Sequence, residues 1–244
     1  MPTQQVLVQF RPVLGQSHLT TSDEERIVDD RKDHARGALR AARFWEEHYR
    51  SRDMTTGRRV NPLLVEIASG LAPGTALDLG CGTGGDTLWL AGAGWRVTAV
   101  DVSGTVTAQV ADTARERGLG DLVHTERHDP AVGFPEGRFD LVTALYLQSP
   151  FDLPRTQVLR TAARALAPGR RLLIVDHGSI APWSWNQDHD ASHPTPDEIA
   201  AGLALDPDGW SIERAASPRR IASGPDGRTA EVVDHVLRIR RTTV

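Results

Sequence analysis

Leu77-Asp78-Leu79-Gly80-Cys81-Gly82-Thr83-Gly84-Gly85-Asp86 runs without interruption into Thr87-Leu88-Trp89-Leu90-Ala91. The apolar residues Ala76, Leu77 and Leu79 predict a buried strand, the glycines a tight bend, and Leu88, Leu90 and Ala91 a helix lying back on that strand. Such a bend leaves backbone N–H groups and the positive end of a helix facing a crevice, and crevices of this kind hold ligands in open α/β sheets.

Two glycine templates fit the same residues. Gly80, Gly82 and Gly85 match the G-x-G-x-x-G of dinucleotide sites, whereas Gly80, Gly82 and Gly84, with Asp78 two residues ahead, match D/E-x-G-x-G-x-G. In either case a Cβ is expected to block the close approach of a ligand. Asp78 separates the two, because a carboxylate there repels a pyrophosphate and suits an ammonium group. On these residues the chain resembles the class I S-adenosylmethionine-dependent methyltransferases, whose first motif Asp78-Leu79-Gly80-Cys81-Gly82-Thr83-Gly84 matches closely. S-adenosyl-L-methionine is then the expected cofactor.

Two further phrases extend the resemblance: Gly137-Arg138-Phe139-Asp140-Leu141-Val142, and Leu166-Ala167-Pro168-Gly169 followed by an apolar strand. Trp45-x3-Tyr49, Gly57-Arg58-Arg59-Val60-Asn61-Pro62-Leu63, Asp86 and Leu90-Ala91 are similar to the thiopurine and tellurite-resistance branch. The likeness spans roughly residues 44 to 240. It implies an α/β fold with a Rossmann-like seven-stranded sheet of order 3-2-1-4-5-7-6, the last strand antiparallel, and helices on both faces. It also implies that Asp129, after the third strand, accepts from an adenine amino group; the Asp129-Pro130 pair equally suits a plain turn.

Spacing adds a second site residue. Asp101 ends the strand Trp95–Val100 and lies 21 residues beyond Gly80, the distance at which one strand–helix–strand unit returns a carboxylate to the crevice beside a ribose diol. Val102 would then lie flat against the adenine, and Ser103 caps the next helix. Leu145, Tyr146 and Gln148, at the end of the fourth strand, border the far half of the crevice.

The chain has 244 residues, 39% of them hydrophobic, enough for one α/β domain with a full core. Its formal charge of -4 speaks against a polyanionic nucleic-acid partner. One cysteine leaves no internal disulfide, and no long apolar run or signal-like start is present, so a cytoplasmic location without a membrane partner is expected. Cys81 itself reads as a small buried spacer.

Residues 1–33 read as an extension and 34–244 as the methyltransferase domain. A helical cap over 34–70 starts with Ala38, Ala41, Ala42, Trp45 and Tyr49 at helical spacing; Asn61-Pro62 opens its second helix. Trp45 and Tyr49 are candidates for cofactor contact or for packing between cap and sheet. The segment 178–195, with Trp183 and Trp185 and no periodicity, reads as a lid or substrate wall. A hairpin of two strands is expected after Trp210.

Methyl transfer needs positioning above all. A hydroxyl or amine acceptor also needs its proton removed, and His177, His189, His193 and Tyr146 are the candidates. His177, Asp188, His189, Asp190 and His193 are of metal-ligating types, but their spacing matches no metal signature, so no metal is expected. The expected reaction is methyl transfer to the thiol, chalcogen, hydroxyl or amine of a small molecule, by a monomer or homodimer. The alternatives are a SAM-dependent cyclisation without methyl transfer, a silent SAM-binding partner protein, and a nicotinamide-dependent oxidoreductase.

Overall fold

The computed structural model describes residues 37, 39–51, 59–151, 153–184, 187, 193–224 and 227–243. The expected extension 1–33 and His189 lie outside them, as do Asp188, Asp190 and Trp185. Among the described residues α1 covers 39–50, followed by α2 (Pro62–Ala68), β1 (Thr75–Leu79), α3 (Gly85–Gly92), β2 (Arg96–Asp101), α4 (Gly104–Glu116), β3 (Val123–Arg127), β4 (Phe139–Leu145), α5 (Arg155–Arg164), β5 (Leu166–His177), α6 (Pro196–Leu203), β6 (Trp210–Ala216), β7 (Arg219–Ser223) and β8 (Thr229–Arg241).

Local chemistry sets the helix starts. Asn61 accepts from the Leu63 amide at 3.0 Å with Pro62 in the first turn of α2, Ser103 accepts from Val106 N at the start of α4, and Thr195 with Glu198 closes a capping box on α6.

The sheet runs β3-β2-β1-β4-β5-β8-β6, with β7 added along β8. β1 to β5 are parallel, while β8 pairs antiparallel with both β5 and β6. The strand order is the one expected, with one strand more. Arg219–Ser223 forms its own strand, so the turn after Ser223 joins β7 to β8, and β6 meets the later half of β8. β5 is also longer than its apolar core, because Leu166 at its start already pairs with Phe139.

Alternation along β5 shows where the core sits. Leu173 and Val175 pack with Leu64, Ile67, Leu90 and Val110 on one face, and Leu172 and Ile174 with Val158, Leu159, Ile199 and Leu203 on the other. Helices therefore cover both faces, as a parallel sheet buried on two sides requires. The order reverses between β1 and β4, and the bend after β1 opens at that switch point. Among the described residues no helix is long and apolar enough to cross a membrane.

Candidate active site

The bend after Leu79 is tied across the sheet, with the amides of Gly80 and Cys81 both donating to Val100 O at 2.9 Å. Gly84 has φ +83, and a Cβ on it would come within 2.6 Å of Val110 in α4; a Cβ on Gly80 would meet Leu147 at 2.9 Å. Protein packing and the positive φ demand glycine here, independently of any ligand.

Above the bend lies a cleft of about 660 Å³ including its open mouth, within the range of small-molecule sites. Gly80, Asp101, Val102, Asp129, Tyr146, Trp45 and Tyr49 all line it, so α1 and the ends of β1, β2 and β4 meet there. Ala41, His128, Gln148 and Leu153 are also part of the wall. Trp45 and Tyr49 stack on each other with ring centroids 5.8 Å apart, and the Tyr49 hydroxyl stands 3.4 Å from where a Cβ of Gly82 would be.

Asp78, Gly82, Gly84 and Leu145 are not among the cleft's lining residues. Asp78 is 2% exposed and accepts from the hydroxyls of Thr87 (2.6 Å) and Thr143 (2.9 Å), so its carboxyl braces β1 against α3 and β4. Leu145 is buried in the core. Asp129 Oδ1 accepts from Ala131 N, so this carboxyl both forms a turn and borders the cleft.

Asp101 holds two backbone donors, Gly82 N at 3.1 Å and Ser103 N at 3.0 Å. Burial still outweighs them and pushes it up to about 6. Burial and the Asp78 charge push Asp86, which accepts from Asn61 N at 2.6 Å, to about 7, and burial raises Asp78 as well. Among the described residues no arginine or histidine forms an ion pair with any of these three acids. Burial, with the charges of Asp101 and Asp78, keeps the Cys81 thiol protonated.

At the carboxyl edge of the cleft, Tyr146 adopts φ +54, uncommon for a residue with a Cβ, and its hydroxyl donates to Asp234 Oδ1 at 3.0 Å. Arg220 of β7 pairs with Asp234, which is 1% exposed. Burial, then the Asp234 charge, pushes the phenol up to about 12, so Tyr146 stays protonated and serves as donor and wall. The His177 ring stacks on Tyr146 at 4.2 Å, and desolvation lowers it below the usual histidine value, although the residue as a whole is exposed. A neutral imidazole of this kind can accept a proton. His193 Nε2 is buried just ahead of α6 and has no hydrogen-bond partner among the described residues. Among the described residues no three His, Cys, Asp or Glu side chains converge as a metal site.

The hairpin residues Arg220 and Asp234 and the cleft residue His128 were not predicted. An Arg–Asp contact between strands of a hairpin whose register is set by an extra strand has no local sequence signature. His128 stands beside Asp129, and its proximity to a predicted residue was the available signal.

A parallel sheet with a glycine bend at its switch point, and the buried carboxyl of Asp101 lining a cleft there, has the architecture of a Rossmann-like domain. Comparison with known proteins narrows the class. Residues 76–169 match the methyltransferase domain family, and S-adenosylmethionine is the cofactor that this match supports.

The chain is 35% identical over 123 residues to the methyltransferase GfsG of Streptomyces halstedii, covering 49% of this chain and 44% of that protein. It is 31% identical over 140 residues to the 27-O-demethylrifamycin SV methyltransferase of Amycolatopsis mediterranei, covering 54% and 49%. It thus spans about half the length or less of these curated relatives. A solved structure from work on the conversion of a disulfide bond into a thioacetal group during echinomycin biosynthesis aligns with TM-score 0.62 and 28% identity over 82% of this chain and 91% of that one. TehB of Haemophilus influenzae, at 16% identity and TM-score 0.57 over 81% and 67%, shares the fold.

Proposed function

We propose that the protein transfers the methyl group of S-adenosylmethionine to a nucleophile, foremost a hydroxyl or thiol, of a small molecule. The observation that carries this reading is Asp101, a buried carboxyl that lines the cleft with two backbone amides and, among the described residues, no cation beside it, with Asp78 and the half-buried Asp86 behind the bend. Buried carboxylates without a countercharge favour a ligand that brings donors and positive charge and disfavour phosphate. Asp101 would take the ribose hydroxyls, Asp129 the adenine amino group, Val102 the adenine face, and Trp45 and Tyr49 the open side. Gly80, Gly82 and Gly84 shape the bend, and Asp78 acts through the threonines that fix β1. Bound there, the cofactor would supply an electrophilic methyl on a positively charged sulfur.

His177 is the base in this reading. Its imidazole, neutral at pH 7, takes the proton of the acceptor as the new bond to carbon forms, while Tyr146 walls the methyl end of the cleft. His193 supports the same edge. The net charge of -4 favours a small-molecule acceptor over nucleic acid, and the rifamycin relative is named for a small-molecule acceptor. The carboxylates of Asp101 and of Glu46, joined through Ser103, weigh against a phosphorylated nicotinamide cofactor.

Incubation with labelled S-adenosylmethionine and a panel of phenols, alcohols, thiols and amines tests the proposal through release of S-adenosylhomocysteine. His177→Asn is expected to lower turnover of a hydroxyl acceptor at least tenfold while leaving cofactor affinity within about twofold. Equal turnover would remove His177 as the base.

A further inference from the structure

Helix α1 holds to the domain in an unusual way. None of its described residues 39–50 is fully buried, and Phe44 meets Phe151 edge-on at 5.5 Å. Little apolar burial secures it, so a helix of this kind opens at low free-energy cost unless polar contacts hold it. One residue supplies several of them. Glu46 Oε2 accepts from Ser103 Oγ at 2.7 Å and from Thr105 N at 3.3 Å, and Oε1 accepts from Thr105 Oγ1 at 2.5 Å. These are the cap and first turn of α4, where a helix leaves amides unpaired and carries its positive end. Arg50, one turn further along α1, pairs with the same carboxylate at 3.0 Å.

Glu46 stands between functional neighbours on both sides. Trp45 precedes it and Tyr49 follows one turn later, and both line the cleft. Ser103, which Glu46 grips, also donates its amide to Asp101. We propose that Glu46 is a positioning residue for the cofactor: its carboxylate clasps α1 to the start of α4, and so holds Trp45 and Tyr49 across the mouth of the cleft over the bound nucleoside. The proposal rests on the cofactor reading above.

The clasp has a chemical direction. Its three donors stabilise the carboxylate, the Thr105 hydroxyl most, and bring Glu46 down to about 2, so it stays ionised above about pH 4. A nucleoside enters or leaves when these bonds exchange for water, and the clasp therefore acts on the release rate more than on the shape of the site.

The experiment follows release of S-adenosylhomocysteine by stopped-flow tryptophan fluorescence, and hydrogen exchange of residues 39–50 in the free protein. Glu46→Ala is expected to speed release at least tenfold and to raise exchange in α1 while β1 to β5 keep their protection. Glu46→Gln, which retains an acceptor, falls between Ala and wild type. Glu47→Ala, an exposed neighbour paired with Arg43, stays within twofold. Equal release and equal exchange for Glu46→Ala and Glu47→Ala would overturn the clasp. Wild-type protein that takes up no S-adenosylhomocysteine overturns the cofactor reading instead, a result that exchange in the free protein distinguishes from failure of the clasp.

Discussion

Buried acids are treated in opposite ways by the two halves of this sheet. On the side of β1 and β2, Asp78 and Asp101, with the half-buried Asp86 beside them, receive hydroxyls and backbone amides and, among the described residues, no cation. On the side of β5 to β8 every comparable acid has arginine: Asp176 takes Arg155 at 2.7 Å, Asp234 takes Arg220, and Glu213 takes both Arg171 (2.7 Å) and Arg238 (3.0 Å). A paired acid repays its desolvation within the protein, whereas an unpaired one leaves that to a ligand. In the function proposed above the first half is the site and the second its frame, with Tyr146 where they meet.

The strongest way to break this contrast is at Asp101. Asp101→Ala should weaken S-adenosylhomocysteine binding by about 100-fold in calorimetry, since each ribose hydroxyl left without its acceptor costs about 1–3 kcal/mol. Unchanged affinity would move the ribose elsewhere. At Asp234 the effect should fall on stability. Asp234→Asn strands Arg220 and loosens Tyr146, and urea unfolding should register a loss of about 2 kcal/mol, below the 3–5 of a fully buried pair because Arg220 is 37% exposed. A variant as stable as wild type would show that the hairpin pair does no structural work.

The smallest effect is in pH. Asp101 is raised from its unfolded value to about 6, so its ionisation in the free protein costs stability as pH climbs from about 4 to 6. Hydroxyl donors favour the carboxylate, and S-adenosylhomocysteine affinity should therefore rise with pH through about 6 and level off above 7, by at most about tenfold per unit. Calorimetry at pH 5, 6 and 7.5 reads this directly; a flat profile would place another group at the ribose.

The site half was far more legible in sequence than the frame half. Asp78, the glycines and Asp101 are fixed by short-range geometry, since one strand–bend–helix–strand unit sets where each must stand. Asn61-Pro62 and Ser103 declared their helices for the same reason. Arg220 and Asp234 became neighbours only through β7, whose five residues between Pro218 and Gly224 resemble a turn-rich connection until β8 is there to pair with them. Glu46 and Ser103 are 57 residues apart, and nothing local links them. The role of Asp78 changed in a telling way: its type and position were readable, but the hydroxyls of Thr87 and Thr143 that turn it into a brace arrive from α3 and β4.

Paired calorimetric titrations of the unmodified protein at pH 7.5, one with S-adenosylhomocysteine and one with NADPH, test the central claim most directly. Saturable one-site heat with the sulfur nucleoside and none with the phosphorylated dinucleotide is the predicted result. Heat from NADPH alone, or from neither, would contradict the assignment of the unpaired acids to a cationic, hydroxyl-bearing ligand.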